Sequence, residues 1–391
     1  MSVENTMLGN ISENIQTGPF GSQLHQSDYE VDGKIDISSV ARVDERHVER
    51  LRRHVMREGD IIYARRGDVG KCAYATKNED GWLCGTGCLR VTVDRRKANP
   101  KYVHYYLQRE ESVRWVENHA IGATMPNLNT SILQQVPVTI PDISVQDEVV
   151  AKIGRYDNLI ENNRKQIKIL EEAAQRLYKE WFIDLRFPGH EKTKIVDGVP
   201  EGWENAVFSE KVDIMSGGTP DTSESRYYSG RIPFYSPKDS DGSFFSFDTE
   251  IHISEEGLEH CNSKLYPVGT IIITARGTVG KTTILARPMA MNQSCYALRS
   301  DSVASEYFLF FALRREIEKL KTMANGGVFG TIIMKTFDGI SILLPNSKVI
   351  KTFHKTVSPI MEMIKYKATK SGLIQEARDR LLKKLFAIGA K

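Results

Sequence analysis

Two segments of the chain set arginine and lysine beside closely spaced glycines, a combination that could bind phosphate. They are residues 65–71 (Arg-Arg-Gly-Asp-Val-Gly-Lys) and 276–281 (Arg-Gly-Thr-Val-Gly-Lys). A nucleotide-binding phosphate loop needs a further glycine where Ala275 stands, and a hydroxyl residue after the lysine, where the first segment has Cys72. A strand–turn–strand hairpin therefore explains these glycines better than nucleotide binding does.

Another segment with a catalytic parallel is Asn99-Pro100-Lys101-Tyr102. It resembles the Asn-Pro-Pro-Tyr tetrapeptide of amino-methyltransferases, but lysine replaces the second proline. No glycine-rich turn that would hold S-adenosylmethionine is found elsewhere in the sequence. We predict instead that Asn99 caps a helix whose first turn contains Pro100.

The remaining reactive side chains form no recognisable catalytic set. The nine histidines are scattered, and none pairs with a serine or a cysteine in a recognisable nucleophile motif. The five cysteines are irregularly spaced, which fits reduced thiols, and Cys84 and Cys88 lack the second ligand pair of a metal site. We therefore predict no catalytic residue, no metal and no cofactor, and a protein that is not an enzyme.

Length and composition indicate a water-soluble chain of two or three domains. The chain has 391 residues, of which 40% are hydrophobic and 26% charged, and its net charge is +3. No apolar run approaches the roughly 20 residues that span a bilayer, and the first residues do not resemble a signal peptide. These features predict a cytoplasmic protein with no membrane partner.

The most informative feature is an internal duplication. Residues 59–71 align with residues 269–281 at an offset of 210, and eight of the thirteen positions are identical. Shorter matches flank this segment: residues 15–19 with 214–220, 33–35 with 230–232, and 136–141 with 340–345. Residues 172–182 then match 376–386 at an offset of 204. The chain thus contains two copies of one domain and the helix that follows it.

Residue patterns within each copy predict a mainly-β domain with some helix. Short β-branched runs bounded by glycine or proline predict strands at 60–63, 88–93, 136–140, 270–274, 294–298 and 340–344. Helices are predicted at 102–109 and 306–320. The predicted fold class is α+β, with domains at 1–143 and 188–345 and long helices at 144–187 and 346–391.

Both long helices contain a heptad seam. In the first, apolar residues recur at alternating spacings of four and three between Val149 and Trp181, and Asn163 is the polar exception. The second seam is weaker, with Lys367 at the position that corresponds to Asn163. We predict that the two helices pair as an antiparallel coiled coil. The principal seam residues are Ile153, Ile160, Ile167, Leu170, Leu177, Ile360, Ile364, Ile374 and Leu381.

Candidate DNA-contacting residues lie in the glycine turns and in exposed loops. Residues 42–71 contain nine lysines and arginines against six acidic residues, a modest local excess. Arginine and lysine suit phosphate contacts, whereas arginine, asparagine and glutamine can read base edges. The candidates are Arg65, Arg66, Lys71, Asn127, Asn129, Arg276, Lys281, Asn292 and Gln293. A solvated charged surface is the alternative for each of them.

The C-terminal helix is strongly basic. Residues 348–391 contain eleven lysines and arginines against three acidic residues. Such a helix can lie near DNA or dock on an acidic protein. The sequence leaves these two interpretations open, and it also leaves open whether isolated chains associate through the seams.

Taken in order, these motifs resemble the specificity subunits of type I restriction–modification systems. The resemblance rests on the opening of the second copy at 214–220, the turn at 269–280, and the prolines Pro141 and Pro345 that precede the long helices. The helices end in similar segments, Leu-Tyr-Lys-Glu-Trp-Phe182 and Leu-Leu-Lys-Lys-Leu-Phe386. The first copy departs from the pattern with Gly-Pro-Phe-Gly at 18–21, which suggests that the two copies read different sequences.

The resemblance implies a definite function and a set of partners. Each domain would be a target-recognition domain that reads one half of a bipartite, asymmetric site in double-stranded DNA. The paired helices would set the gap between the half-sites and dock two modification subunits. Adenine methylation would reside in those subunits, and ATP-driven translocation and cleavage in restriction subunits.

Two alternatives remain at this point. One is the specificity subunit of a related restriction system in which cleavage and methylation are fused in one partner. The other is a coiled-coil adaptor that does not bind DNA.

Overall fold

The computed structural model of the chain describes residues 3–18, 43–122, 126–300, 302–323 and 330–388. Residues 33–35 of the repeat and residues 19–21 of the first copy's opening motif lie outside the described residues. The chain divides into two compact units, one formed by Met1–Ile160 with Leu373–Lys391 and the other by Glu161–Gly372. Each unit therefore contains one of the duplicated domains and parts of both long helices.

The first unit is built on a four-stranded antiparallel sheet in the order β2-β5-β3-β4, with a separate pair β1-β6. Its strands are β1 (Val3–Met7), β2 (Ser12–Thr17), β3 (Ile61–Ala64), β4 (Cys72–Tyr74), β5 (Cys88–Val93) and β6 (Pro137–Pro141). Its short helices are α1 (Glu45–Arg50), α2 (Pro100–Leu107), α3 (Glu110–His119) and α4 (Thr130–Gln134). Strand β3 is buried along its whole length, as its run of apolar residues predicts.

The second unit repeats this plan and has more strands than the described part of the first unit contains. Its main sheet has the order β10-β17-β14-β15-β12, in which only β12 runs parallel to its neighbour. Two smaller sheets, β13-β11-β16 and β9-β18, complete it together with the hairpin β7-β8. The first strands are β7 (Ile195–Val196), β8 (Val199–Pro200), β9 (Glu204–Val207), β10 (Asp213–Ser216), β11 (Ile232–Tyr235) and β12 (Phe245–Ser246). The later ones are β13 (His252–Ile253), β14 (Ile271–Thr274), β15 (Thr282–Leu285), β16 (Ala290–Met291), β17 (Cys295–Arg299) and β18 (Ser341–Leu344).

The helices of the second unit are α6 (Glu255–Glu259), α7 (Val303–Met323) and α8 (Met334–Asp338). Single 3-10 turns occur in both units at Leu8–Ile11, Arg52–His54, His190–Lys192, Phe208–Glu210, Ser225–Tyr228 and Pro237–Asp239. The predicted strands and the α+β class are confirmed, and no strand end is shifted by more than one residue. The predicted cap is also confirmed: Asn99 Oδ1 accepts hydrogen bonds from the backbone amides of Lys101 (2.9 Å) and Tyr102 (3.3 Å), and Pro100 lies in the first turn.

The long helices α5 (Ile143–Phe182) and α9 (Ser347–Ile388) pair antiparallel, as predicted. In the first unit an early residue of α5, Asp157, forms an ion pair of 3.2 Å with a late residue of α9, Arg378, and it also accepts a hydrogen bond from Tyr105. In the second unit the order is reversed: the ring of Phe353, early in α9, lies 4.8 Å from that of Phe182, the last residue of α5. Residues of both helices thus enter the core of each unit.

Burial along the two helices follows the heptad spacing. Of the named seam residues, Ile153, Ile160 and Ile364 are buried. The others are half-buried: Ile167, Leu170, Leu177, Ile360, Ile374 and Leu381. Asn163 is buried and Lys367 half-buried, so the polar position lies inside the seam in both helices. In the part of the chain that the structure describes, no helix is long and apolar enough to cross a membrane.

The aromatic cluster around Phe353 gives a testable expectation for stability. Phe353 is fully buried, and its ring contacts those of Tyr178, Trp181 and Phe182. Phe353→Ala should lower the free energy of unfolding by about 3–5 kcal/mol, because it removes buried apolar surface and leaves a cavity. Chemical denaturation measures this change. Tyr366→Ala on the same helix is the control, since Tyr366 is 58% exposed and its loss should change stability by about 0.5 kcal/mol or less. Equal losses in the two variants would contradict this account of the core.

Candidate nucleic-acid interface

The glycine turn of the first unit is a hairpin turn, as the sequence predicts. Strand β3 ends at Ala64, and the chain then turns back to form the antiparallel strand β4, in which Cys72 pairs with Tyr63. Gly67 has φ +72°, a conformation that favours glycine. A side chain on Gly70 would lie 2.7 Å from Val113 of α3, so this glycine allows the turn to approach that helix. A phosphate loop would lead into a helix, whereas this turn leads into a strand.

The first unit brings the predicted residues Arg65, Arg66 and Asn127 together at one end of its sheet. The Arg65 amide donates to the Gly87 carbonyl (2.8 Å), and the Arg65 carbonyl accepts from the Leu128 amide (2.8 Å). Arg66 forms a β-bridge with Asn127 and is exposed to solvent. Arg65 Nε and Asn127 Oδ1 are buried atoms that have no hydrogen-bond partner among the residues the structure describes.

Asn129 has a structural role that the sequence did not reveal. It is the N-cap of α4, and its Oδ1 accepts a hydrogen bond from the Ile132 amide at 2.9 Å. The capping bond fixes the orientation of this side chain against the first turn of α4. Asn129 therefore helps to hold the segment that carries Asn127.

The second unit builds the same sheet end with the same backbone hydrogen bonds. The Ala275 amide donates to the Ser294 carbonyl (2.7 Å), and the Ala275 carbonyl accepts from the Ile332 amide (3.0 Å). Gly277 has φ +76°, as Gly67 has φ +72°. The side chain of Arg276 is exposed, like that of Arg66. The duplication therefore preserves a local backbone framework with an exposed arginine on it.

The two predicted lysines line grooves beside the helices. Lys71 forms an ion pair with Asp68 (2.6 Å) and lines a groove with Arg109 and the C-terminal end of α9. In the second unit, Lys281 lines a groove with Arg314 and the C-terminal end of α5. Among the described residues Lys281 forms no ion pair. The arginine and the lysine of each turn thus belong to different surfaces.

The two grooves differ in charge. The groove of the first unit is lined by four basic and five acidic side chains, and that of the second by five basic and two acidic ones. Arg314 contributes to the second groove while its guanidinium lies 4.9 Å from the ring centre of Phe244 and 5.4 Å from that of Phe310. Burial lowers the pKa of Arg314 from its ordinary value, and the neighbouring carboxylate of Glu171 opposes this shift. Only the second groove carries a clear excess of positive charge.

The predicted pair Asn292 and Gln293 lies at the same sheet end of the second unit. Asn292 Oδ1 accepts a hydrogen bond from the backbone amide of Ser294 (3.0 Å), and the backbone amide of Asn292 donates to the Tyr235 carbonyl (2.9 Å). Gln293 is exposed, and its Oε1 accepts a hydrogen bond from the Thr219 hydroxyl. Asn292 therefore maintains the turn, while Gln293 projects from it.

Two residues of these sheet ends, Thr219 and Thr86, were not predicted from the sequence. Thr86 is the residue of the first unit that corresponds to Gln293. Cys88 and Cys295 begin matching strands, β5 and β17, at an offset of 207. Extending that offset backwards aligns Gly85-Thr86-Gly87 with Asn292-Gln293-Ser294. The cysteine that follows each tripeptide was the signal for this alignment, because the tripeptides themselves have no residue in common.

No group of three or more His, Cys, Asp or Glu side chains that could hold a metal ion is found within the described ranges. No disulfide joins the five cysteines, all of which lie within the described ranges, and burial raises the pKa of the Cys72 thiol to about 12. A thiol with such a pKa stays protonated near neutral pH and is a poor nucleophile or metal ligand.

Two similar α+β units, each with a polar sheet end and parts of two antiparallel helices, define a duplicated recognition protein. A family model, the type I restriction modification DNA specificity domain, matches residues 14–172 and 200–375. These two matches cover most of the chain, which therefore belongs to this family.

Individual relatives agree with the family assignment. The type I restriction enzyme MjaIX specificity subunit of Methanocaldococcus jannaschii is 24% identical over 88% of this chain and 80% of its own length. The HindI specificity subunit of Haemophilus influenzae is 23% identical over 84% of this chain and 86% of its own length. The crystal structure of an S subunit from M. genitalium covers 98% of this chain and 96% of its own, with 17% identity and a TM-score of 0.55, and so shows the same fold.

The sheet end of the second unit gives a testable expectation about glycine. A Cβ on Gly217 would lie 2.1 Å from the carbonyl oxygen of Asn292, closer than any real contact. Gly217→Ala should therefore force the segments apart and destabilise the protein by about 1–3 kcal/mol, measured as a lower melting temperature. Gly372→Ala on α9 is the matched control. Nothing lies within 4 Å of its Cβ position, and alanine there should stabilise the helix by about 0.5–1 kcal/mol. A Gly217→Ala variant as stable as the wild type would show that the close approach is dispensable.

Proposed function

We propose that the chain is the DNA sequence-recognition subunit of a type I restriction–modification complex. In this proposal each duplicated domain, 1–143 and 188–345, reads one half of a bipartite asymmetric site. The chain itself is not catalytic and acts in the cytoplasm, while methylation and cleavage reside in modification and restriction subunits. The observation that carries the proposal is a polar sheet end built twice on the same backbone hydrogen bonds but with different side chains.

The chemistry of this sheet end suits DNA. Arg66 and Arg276 are exposed at matching positions, where a guanidinium can contact phosphate or the edge of guanine. Lys281 is a stronger candidate for a phosphate contact than Lys71, because Asp68 already neutralises the latter. Two frameworks with the same geometry and different side chains would recognise two different half-sites, as an asymmetric target requires.

The long helices α5 and α9, predicted from the sequence at 144–187 and 346–391, offer a surface for the partner subunits. Leu159 and Ile169 on α5 are 51% and 63% exposed, and Met363 and Leu373 on α9 are 43% and 62% exposed. Each pair is spaced ten residues apart, and the pairs are related by the repeat offset of 204. Exposed apolar side chains on a helix suit contact with another protein. The same exposed apolar positions on both helices support the docking of two identical modification subunits.

The proposal predicts one bipartite methylation motif for this gene. Deleting the gene should abolish adenine methylation at a single asymmetric split motif, because the modification subunits would have no other means of locating it. Methylome sequencing of the strain with and without the gene measures this and gives the target and the gap together. An unchanged methylome would reject DNA recognition and favour an adaptor role.

The exposed apolar residues of α5 and α9 predict where the modification subunits bind. The double variant Ile169→Asp, Leu373→Asp should lose co-purification of the modification subunits, because two buried carboxylates would be left without partners. Val196→Asp is the control, since Val196 is 64% exposed but lies in the hairpin β7-β8. Retention of the modification subunits by the double variant would show that they dock elsewhere.

A further inference from the structure

Asn292, Gln293 and Ser294 form a turn that is fixed from several sides. The Cys295 amide donates to the Asn292 carbonyl (3.2 Å), and the Ser294 carbonyl accepts from the Ala275 amide (2.7 Å). The Met291 carbonyl, just before the turn, accepts from the Gly218 amide (3.1 Å). Gln293 is the residue of this turn whose side chain is exposed, so it projects from a rigid base.

A neighbouring segment orients the amide of Gln293. Gly217 allows this segment to lie against the turn, because a Cβ on Gly217 would lie 2.1 Å from the Asn292 carbonyl oxygen. Gly218 allows a similar approach to a different segment, since its Cβ would lie 2.6 Å from the Asn262 backbone nitrogen. The segment places Thr219 so that its hydroxyl donates to Gln293 Oε1. This bond uses one of the two acceptor positions of Oε1, and no other described residue bonds to the second position or to the Nε2 hydrogens.

The first unit has the same construction with a different side chain. Gly18 approaches Gly85 so closely that a Cβ would lie 1.8 Å from its carbonyl oxygen, and the Gly18 amide donates to the Cys88 carbonyl (3.1 Å). Thr86 occupies the position of Gln293. The two units thus share the close glycine contact and the backbone bonds to the arginine turn, but differ in the side chain that this framework presents.

We propose that Gln293, oriented by Thr219, reads an adenine in the half-site of the second unit, and that Thr86 is the corresponding reader in the first. The inference rests on the proposed DNA-recognition function. Glutamine recognises adenine in the major groove by accepting from N6 and donating to N7, which are the acceptor and donor that Gln293 keeps available. Threonine hydroxyls both donate and accept, so Thr86 discriminates less between bases. Thr219 is a positioning residue that contacts the reader rather than the base.

Selection from randomised double-stranded DNA tests the proposal, with the full-length chain in complex with its modification subunits. Gln293→Ala should weaken the preference for adenine at one position of one half-site by about tenfold or more, and leave the other half-site unchanged. Gln293→Lys should shift that position towards guanine, whose O6 and N7 accept from lysine. Thr86→Gln should introduce an adenine preference at the corresponding position of the other half-site.

Further variants distinguish an effect on the orientation of the Gln293 side-chain amide from an effect on folding. Thr219→Val should weaken the same adenine preference, whereas Thr219→Ser, which keeps the hydroxyl, should retain it. Asn205→Ala is the control, since Asn205 is an exposed amide on β9 in a different sheet. Melting temperatures of the Gln293, Thr219 and Asn205 variants should match that of the wild type, because these three side chains are exposed. Thr86 is half-buried, so Thr86→Gln is interpreted only if its melting temperature is also unchanged.

The outcomes distinguish this inference from the function on which it rests. If the wild-type complex selects no bipartite motif, the proposed function itself fails. If it selects one and Gln293→Ala leaves every base preference intact, or weakens all sequences equally, the assignment of Gln293 as a base reader is overturned. Retention of the adenine preference by Gln293→Lys would overturn it as well.

Discussion

The structure depends on the insertion of both long helices into both hydrophobic cores. In the first unit Phe386, near the end of α9, packs on Tyr102 and Tyr106, and Ile153 of α5 joins the same core. In the second unit Phe182 at the end of α5 and Phe353 near the start of α9 meet in one aromatic cluster. Neither core is complete without a segment that is distant in sequence. The helices therefore cannot be separated from the domains, and the position of each sheet is tied to the helix register.

Much of this arrangement could be predicted because the duplication amplifies weak signals. The heptad seam, the turn at 65–71 and the flanking strands each occur twice, and a pattern that recurs at a fixed offset is unlikely to arise by chance. The strand pairs β1-β6 and β9-β18 could not be predicted, since their partners are more than 100 residues apart and their registers depend on packing. The helix predicted at 346–391 runs through Pro359, and α9 does contain this proline although proline usually ends a helix, because the heptad pattern continues on both sides of it.

For the candidate interface, sequence reasoning named the right regions but could not assign roles within them. Asn127 and Asn129 look alike in sequence, yet one bridges the arginine turn and the other caps a helix. Asn292 and Gln293 are adjacent amides, yet the first stabilises the turn and the second is exposed. Residue type shows what a side chain can bind, whereas its role depends on which hydrogen bonds the fold has already satisfied. Those bonds come from segments that are remote in sequence.

The ion pair between Asp157 and Arg378 affects which helices can pair with each other. At the repeat offset of 204 the corresponding residues are Met361 and Ala174, both fully buried and apolar. If α5 paired with a second copy of α5, Asp157 would lie opposite Ala174 and its carboxylate would lose the cation that accompanies it. If α9 paired with another α9, Arg378 would lie opposite Met361 and lose the Asp157 carboxylate, keeping that of Asp379. Leaving a partly buried carboxylate without its cation is costly. This ion pair thus disfavours like-with-like pairing of two otherwise similar helices.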